Sequence, residues 1–428
     1  MPDFARALQW IRPEAPQRQL FESDSPATSL SRQLQFLKAR YPAAMREPSY
    51  GLSHRLPQGQ EETTPHGKHY VVRQVFDGEH SHGKVRLARF SCEDLHRLMA
   101  LMHKKGGRAD RDSIVFLDTE TTGMQGGTGM VPFLVGLGYF EHDAFHVVQY
   151  FIRDFDEEPS MLHALENFLA RFQLVITYNG GTFDIPLLES RFTLARFDSP
   201  FVRFEHLDLL IGARRLWRNG HGSCRLVALE REIVSFLRGP DVPGAMIPRV
   251  FFDFVNSGYS PTLPGVFTHN VYDVVSLAAL TICASDRISG EPAKFDNPSD
   301  LFSLARILEN TTEWKRCQSL YEMALEGGVP EPLRTRAAEN LSIIYRRSGE
   351  HERALQACSA LMDHPTFSMV GYEGAAIYHE RISRNPARAL EVVEGALTRL
   401  EGDIHSPKRW RVLLQARRER LRQKVIEF

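Results

Sequence analysis

Two carboxylates one residue apart close a short apolar run: Asp118 and Glu120, in SIVFLDTETTG. Side chains alternate along a strand, so residues two apart share a face. Two acids held side by side repel each other, and burying them unpaired costs several kcal/mol. A hard divalent cation resolves both problems, because Mg²⁺ and Mn²⁺ prefer oxygen ligands. A solvent-facing acidic turn is the ordinary alternative, and the apolar residues Ile114 to Leu117 just upstream weigh against it. A third carboxylate, Asp184, lies 66 residues after Asp118 in YNGGTFDIPLLESR, where Asn179 and the Gly180–Gly181 pair supply turn chemistry. Asp184 would open a helix, and taken alone it is equally a helix cap. The last pair, His269 and Asp273 in HNVYDVVSLAAL, is spaced i, i+4 and falls on one face if that segment is helical.

The elements that must position these residues are legible around them. SIVFLD, VPFLVGLGYF, AFHVVQYFI and LVITYN read as strands, and residues 157–172 as a helix with Leu162, Leu165 and Leu169 inward. Strands alternating with helices predict an α/β core over 111–290. Before it, YVVRQVF and KVRLARF read as strands of a hairpin around GEHSHG. A helix from Glu93 to Lys104 follows, with Leu95, Leu98, Leu101 and Met102 on one side. Residues 29–40 suit a short helix, and Pro2, Pro13, Pro16 and Pro26 mark 1–30 as a loosely held tail, leaving 31–110 as an N-terminal extension. After Asn297 the strands stop. WKRCQSLYEMAL, HERALQACSALM and PARALEVVEGAL begin at 314, 351 and 386, a period that resembles the tetratricopeptide (TPR) repeat, so 298–428 is expected to be all-α. An irregular helical bundle is the competing architecture.

Taken together, the motifs resemble the DEDD exonucleases of the DnaQ superfamily, which share a ribonuclease H-like fold. YNGGTFDIPLL is also similar to the second exonuclease motif of family B DNA polymerases. Closer still is the YprB-like family, on DTETTG, GMQGGTGMVPFLVGLGYF, YNGGTFDIPLLESR, HNVYDVVSL and the helices that follow. The resemblance spans about residues 60–428 and implies a mixed sheet flanked by helices, then TPR-like repeats. It implies that Asp118, Glu120, Asp184 and Asp273 hold two divalent cations, Mg²⁺ or Mn²⁺, and that His269 is the catalytic base. It further implies 3′–5′ hydrolysis of DNA in repair, a helicase partner, and repeats that bind protein or guide substrate. Thr121, Gly123, Met124, Asn179 and Phe183 would contact nucleic acid. One departure concerns His269: the superfamily usually places its His five residues before the last Asp, or a Tyr four before it, and here the His occupies the four-before register. The four carboxylates do not read sugar identity, so an exoribonuclease is the alternative enzyme, and a non-catalytic recruitment module the alternative outside enzymes.

Composition bounds these readings. The 52 Lys and Arg against 53 Asp and Glu give a net charge of −1, which by itself counts against a nucleic-acid protein. The balance is uneven, however: 111–290 carries 14 basic and 21 acidic residues, all the basic ones Arg, between mildly basic flanks. Arg203, Arg214, Arg215, Arg218 and Arg225 gather around RRLWRNGHGSCR with Trp217, a mixture suited to a single strand, or to a helix with its arginines in water. Asp208 in HLDLL reads as structural. Residues 406–428 hold eight Lys or Arg and two Glu, with Trp410, Leu413, Leu414 and Leu421 as an apolar side, which predicts a capping helix. No GK[ST] follows GGTG, so it is no phosphate-binding P-loop. The five cysteines form no CxxC, and MPDFARALQWIRPE mixes charge and Pro. With the longest apolar run, Val131 to Phe140, too short for a bilayer, these features lead us to expect a cytoplasmic location.

Overall fold

The computed structural model describes residues 56–102, 109–123, 129–290, 297–309, 311–401 and 406–427. The expected tail over 1–30, the helix over 29–40 and Met124 lie outside the described residues. A seven-stranded mixed sheet organises the first two-thirds of the chain. Its strands are β1 (Gln60–Thr64), β2 (Gly67–Phe76), β5 (Ile114–Thr121), β6 (Pro132–Glu141), β7 (Ala144–Phe151), β8 (Leu174–Thr177) and β9 (Glu205–Asp208). They lie in the order β1-β2-β7-β6-β5-β8-β9. β8 runs parallel to β5 and β9, whereas β1, β2, β7, β6 and β5 form successive antiparallel pairs.

The N-terminal strands depart from the sequence-based expectation. β2 does not fold back on KVRLARF; it pairs with β1 on one side and β7 on the other, extending the central sheet. The GEHSHG segment instead contributes β3 (Ser81–His82), which pairs with β4 (Val85–Arg86) in a small separate sheet, and Leu87–Arg89 turn into a 3₁₀ segment. The apolar alternation of KVRLARF serves packing: Val85, Leu87 and Phe90 enter the core. Helix α1 (Cys92–Met102) follows, burying Leu95, Leu98, Met99 and Met102; the side chain of Leu101 lies outside the described residues.

Two apolar layers cover the sheet. Alternation along β5 sends Ile114 and Phe116 to one face and Val115 and Leu117 to the other. Helices α2 (Glu158–Leu169), α3 (Asp184–Ala195) and α6 (Ile247–Ser257) flank the second face, and Phe133 and Phe251 stack there at 4.1 Å between ring centroids. The first face is covered by α1, α4 (Leu209–Trp217), the short α5 (Leu226–Leu229) and α7 (Leu263–Ser289). At 27 residues, α7 is the one helix among the described residues long and apolar enough to cross a membrane, but 72% of its apolar window is buried inside the molecule.

From Pro298 the chain is helical: α8 (Pro298–Leu308), α9 (Trp314–Glu326), α10 (Leu333–Ser348), α11 (His351–Asp363), α12 (Met369–Ile377), α13 (Pro386–Glu401) and α14 (Lys408–Glu427). Matching positions are buried in the three helices that carry the repeat: Cys317, Tyr321 and Ala324 in α9, Ala354, Cys358 and Leu361 in α11, and Ala389, Val393 and Ala396 in α13. The mixed sheet flanked by helices and the helical C-terminal part agree with the expected fold. In α14, Leu414 and Leu421 are buried, whereas Leu413, expected beside them, is exposed. Four of its basic side chains pair with acids of preceding helices: Arg417 with Glu373, Arg420 and Lys424 with Glu380, and Arg422 with Glu394.

Candidate active site

The strand β5 delivers Asp118 and Glu120 to the face covered by α7. Asp118 sits opposite Gly136 of β6, and Gly136 opposite Gln149 of β7. Gly136 is needed here because a Cβ at that position would lie 2.1 Å from Asn270 Oδ1. The space it leaves admits Asn270, fully buried on α7, whose Nδ2 donates to Asp118 Oδ2 at 2.8 Å. Gln149 Nε2 in turn donates to Asn270 Oδ1 at 2.8 Å and to the Phe267 carbonyl at 2.9 Å. A strand-to-helix amide relay thus fixes the first carboxylate.

Because α7 is helical throughout, His269 and Asp273 lie one turn apart on its sheet-facing side. His269 Nε2 stands 3.3 Å from Asp273 Oδ2 and 3.9 Å from Glu120 Oε1. One donor atom from each of Glu120, His269 and Asp273 lies within 4.8 Å of the others, a spacing that could hold a metal ion. Asp184, the first residue of α3, joins from the other side: Thr119 donates its hydroxyl to Asp184 Oδ1. A plain capping role is not what is seen, since Phe183 is the N-cap residue of α3 and makes no side-chain cap bond.

The electrostatics describe a site short of positive charge. Burial, with the charges of Asp273, Glu120 and Asp184, holds the Asp118 carboxyl well above the usual carboxylate range, against the opposing Asn270 bond. Burial pushes Glu120 up to about 8 although His269 pulls it down, and pushes Asp184 up to about 6 despite its bond from Thr119. For His269, burial disfavours the proton, but the Asp273 bond, the charges of Asp273 and Glu120 and a bond to Asp241 outweigh it, raising the imidazole to about 9. Hard oxygen donors that retain protons for want of countercharge suit divalent cations. Asp118, Glu120, Asp184 and Asp273 could hold them.

Three participants carried no sequence signal. Asp241 accepts from His269 Nδ1 at 2.8 Å, leaving Nε2 toward the carboxylates. Arg238, almost buried, pairs with Glu230 and Asp273 and reaches Asp241 at 3.0 Å. Glu230 is 1% exposed and anchors the guanidinium from the π-helical turn Glu230–Val234. Their loop segment, RGPD, has no periodicity, and only the tertiary fold brings it over α7. Asn270 does sit inside HNVYD, but nothing in that string distinguishes it from a helix-surface Asn.

The remaining expected residues are arranged around this cluster. Thr121 donates to the Gly123 carbonyl at 2.7 Å, closing the strand exit. Asn179 adopts the left-handed backbone (φ 67°), and Asp208 Oδ1 accepts its N–H at 2.8 Å. Asp208 also accepts from Gly181 N and Leu210 N, the structural role expected of it. Phe183 is 45% exposed. Trp217, by contrast, is fully buried and cannot stack on a base; its indole belongs to the core under α4.

Residues 115–284 match the family model RNase_H_2, of the ribonuclease H superfamily, a span that runs from β5 almost to the end of α7 and encloses every residue of the cluster. The domain over those residues is therefore a nuclease-like domain of the ribonuclease H fold. Over 341 residues the chain is 28% identical to the uncharacterized protein YprB of Bacillus subtilis (strain 168), an alignment covering 77% of this chain and 80% of that one. The similarity to that protein extends well beyond the nuclease-like domain.

Proposed function

We propose that the protein is a metal-dependent 3′–5′ exonuclease that hydrolyses DNA in repair. The observation that carries this reading is the convergence of Asp118 and Glu120 from β5, Asp184 from α3, and His269 and Asp273 from α7 on one site inside a ribonuclease H-fold domain. Two divalent cations, Mg²⁺ or Mn²⁺, held by the four carboxylates would supply activation of water and neutralisation of charge on the phosphate and the departing 3′-oxygen.

The chain's own residues do the rest. His269 Nε2 faces the site and takes the proton from the attacking water, while Asp241 on Nδ1 fixes the ring's orientation and tautomer. Asp273 and Glu120, two of the carboxylates that raise His269, are groups a cation would engage, so a loaded site would lower the imidazole toward the range of a base. Thr121 and Gly123 border the terminal nucleotide through the backbone at the β5 exit. Phe183, exposed beside Asp184, offers an aromatic face to its base. The helical repeats offer a protein-binding scaffold, and a helicase is the partner that the family resemblance implies.

The test is cleavage of 5′-end-labelled single-stranded DNA, duplex DNA and RNA with Mg²⁺, Mn²⁺ or EDTA, beside Asp184→Ala. A metal-dependent ladder shortening from the 3′ end on DNA, absent in the variant, is the expected result. Cleavage confined to RNA would replace the substrate class, and no cleavage of any substrate would leave a recruitment module.

A further inference from the structure

Three arginines beside the candidate active site face an open concavity of about 610 Å³ without a carboxylate partner among the described residues. Arg214, on the exposed side of α4, and Arg218, its C-cap residue, are one turn apart, and the other side of the helix buries Leu216 and Trp217. Arg225 reaches the same concavity from the loop before α5. Tyr178 and Asn179 form its opposite rim, and Asn179 belongs to the turn that delivers Asp184.

The loop carrying Arg225 is tied in place. Tyr178 donates its hydroxyl to the Cys224 carbonyl at 2.5 Å, and His221 is held between Glu232 at 2.8 Å and Asp300 at 3.4 Å. Glu232 and Asp300 are therefore engaged with His221, and none of the three arginines has an ion pair with an acid among the described residues. Other arginines are held by acids: Arg153 by Glu61 and Glu157, Arg191 by Glu158, Arg353 by Glu322 and Glu350. Like charges gathered in a concavity without counterions are stabilised by an anion, and planar guanidinium groups match phosphate oxygens in pairs.

We infer that Arg214, Arg218 and Arg225 form a subsite for backbone phosphates of a single-stranded nucleic acid whose end lies at the carboxylate cluster. The inference rests on the nuclease reading for the position of that end, and its chemistry is that of the phosphodiester, not of sugar or base. Asn179, which lines the concavity, lies five residues before Asp184 in the turn that leads into α3. Arg203 and Arg215, grouped with these three in the sequence, do not line it; Arg215 donates instead to the Met102 carbonyl and sulfur.

The test is fluorescence anisotropy of the full-length protein with labelled oligothymidylate or oligouridylate of about 15 nucleotides, without divalent metal. The Arg214→Ala/Arg218→Ala double variant and Arg225→Ala are compared with Arg249→Ala, an exposed arginine on α6, as a charge control. For the double variant we expect binding of both strands to weaken at least about tenfold, and the slope of log affinity against log salt to flatten by about 1.4, or about 0.7 for each phosphate no longer neutralised. Thermal midpoints should match the parent, because the substituted side chains are exposed. Unchanged affinity and slope in the double variant would overturn the subsite. So would a ten-residue oligoglutamate that binds the parent as tightly as oligothymidylate, since that would mark a dock for an acidic protein segment. Loss of binding in a protein that cleaves nothing with Mg²⁺ or Mn²⁺ would retire the nuclease reading while sustaining the subsite.

Discussion

At the scale of single residues, the cluster gathers buried carboxyls whose mutual repulsion is relieved by retained protons or by a cation. Asp118→Ala and Asp184→Ala should abolish cleavage while leaving the fold intact. At pH 8.5, Asp118→Asn should raise the thermal midpoint of the metal-free protein by about 2 °C or more, because it removes one titrating carboxyl from the buried cluster while keeping an acceptor for Asn270. A lower midpoint in EDTA would contradict the charge argument. The pH dependence carries a definite sign. Glu120 has its folded pKa raised to about 8, so the folded state keeps a proton that the unfolded chain loses, and stability falls as pH climbs from about 4.5 through 8. The raised His269 contributes stability below about 6.5 that is lost as pH rises through about 9. The metal-free protein should therefore melt earlier at pH 8.5 than at pH 6. Mn²⁺ should reverse the trend, since it displaces those protons and binds more tightly as pH rises. Scanning calorimetry at both pH values, with Mn²⁺ and with EDTA, checks both halves.

At the scale of elements, the site depends on how closely β6 and α7 approach. Gly136→Ala adds one methyl group directly against Asn270, and through it should displace Asp118. We expect at least a tenfold fall in kcat, with Mn²⁺ affinity falling in parallel, because a misplacement of about 1 Å can cost a hundredfold in rate. Wild-type kinetics would mean that α7 can shift without moving the carboxylate. Asp241→Asn tests orientation instead of charge count: it keeps a partner for His269 Nδ1 but weakens the hold on the imidazolium. Its signature should be a pH–rate profile whose alkaline-active limb moves to lower pH, because losing the Asp241 carboxylate lowers the imidazole pKa. A merely structural role for Asp241 would lower the thermal midpoint and leave that profile in place.

At the scale of the whole molecule, one apolar layer joins the nuclease-like domain to the first helices of the repeat region. Leu301, Phe302, Leu304 and Leu308 of α8 and Leu320 and Tyr321 of α9 belong to the same buried cluster as Phe116 of β5 and Trp217 of α4. The last helices form a separate cluster around Tyr372, Val393 and Leu414. A chain ending at Gly290 should thus aggregate or melt far below the parent, whereas one ending at Asp363 should keep its core and its cleavage. Leu304→Ala, at a fully buried position, should cost about 2–5 kcal/mol by chemical denaturation. Equal stability of the two truncated chains would show that the continuous layer is not an energetic unit.

Asp118 with Glu120, and His269 with Asp273, could be placed on shared faces because strand alternation and helical spacing act over a few residues, whereas their proposed roles, and that of Asp184, came from the family resemblance. The two faces of β5 and the repeat positions 317, 354 and 389 followed from the same local periodicities. Other features depended on pairings between distant segments. β2 had equally good alternation for a hairpin with KVRLARF, and burial against β7 decided otherwise. Trp217 could serve a single strand or a plain helix on sequence alone, its burial decided against base stacking, and the surrounding arginines divided into three that share a concavity and two that do not. Asp241, Arg238, Glu230 and Gly136 act only through contacts across the fold. Local chemistry determines which side chains are able to hold a cation, but the neutralisation, orientation and spacing of those side chains are set by desolvation and close packing, which exist only once the chain has folded.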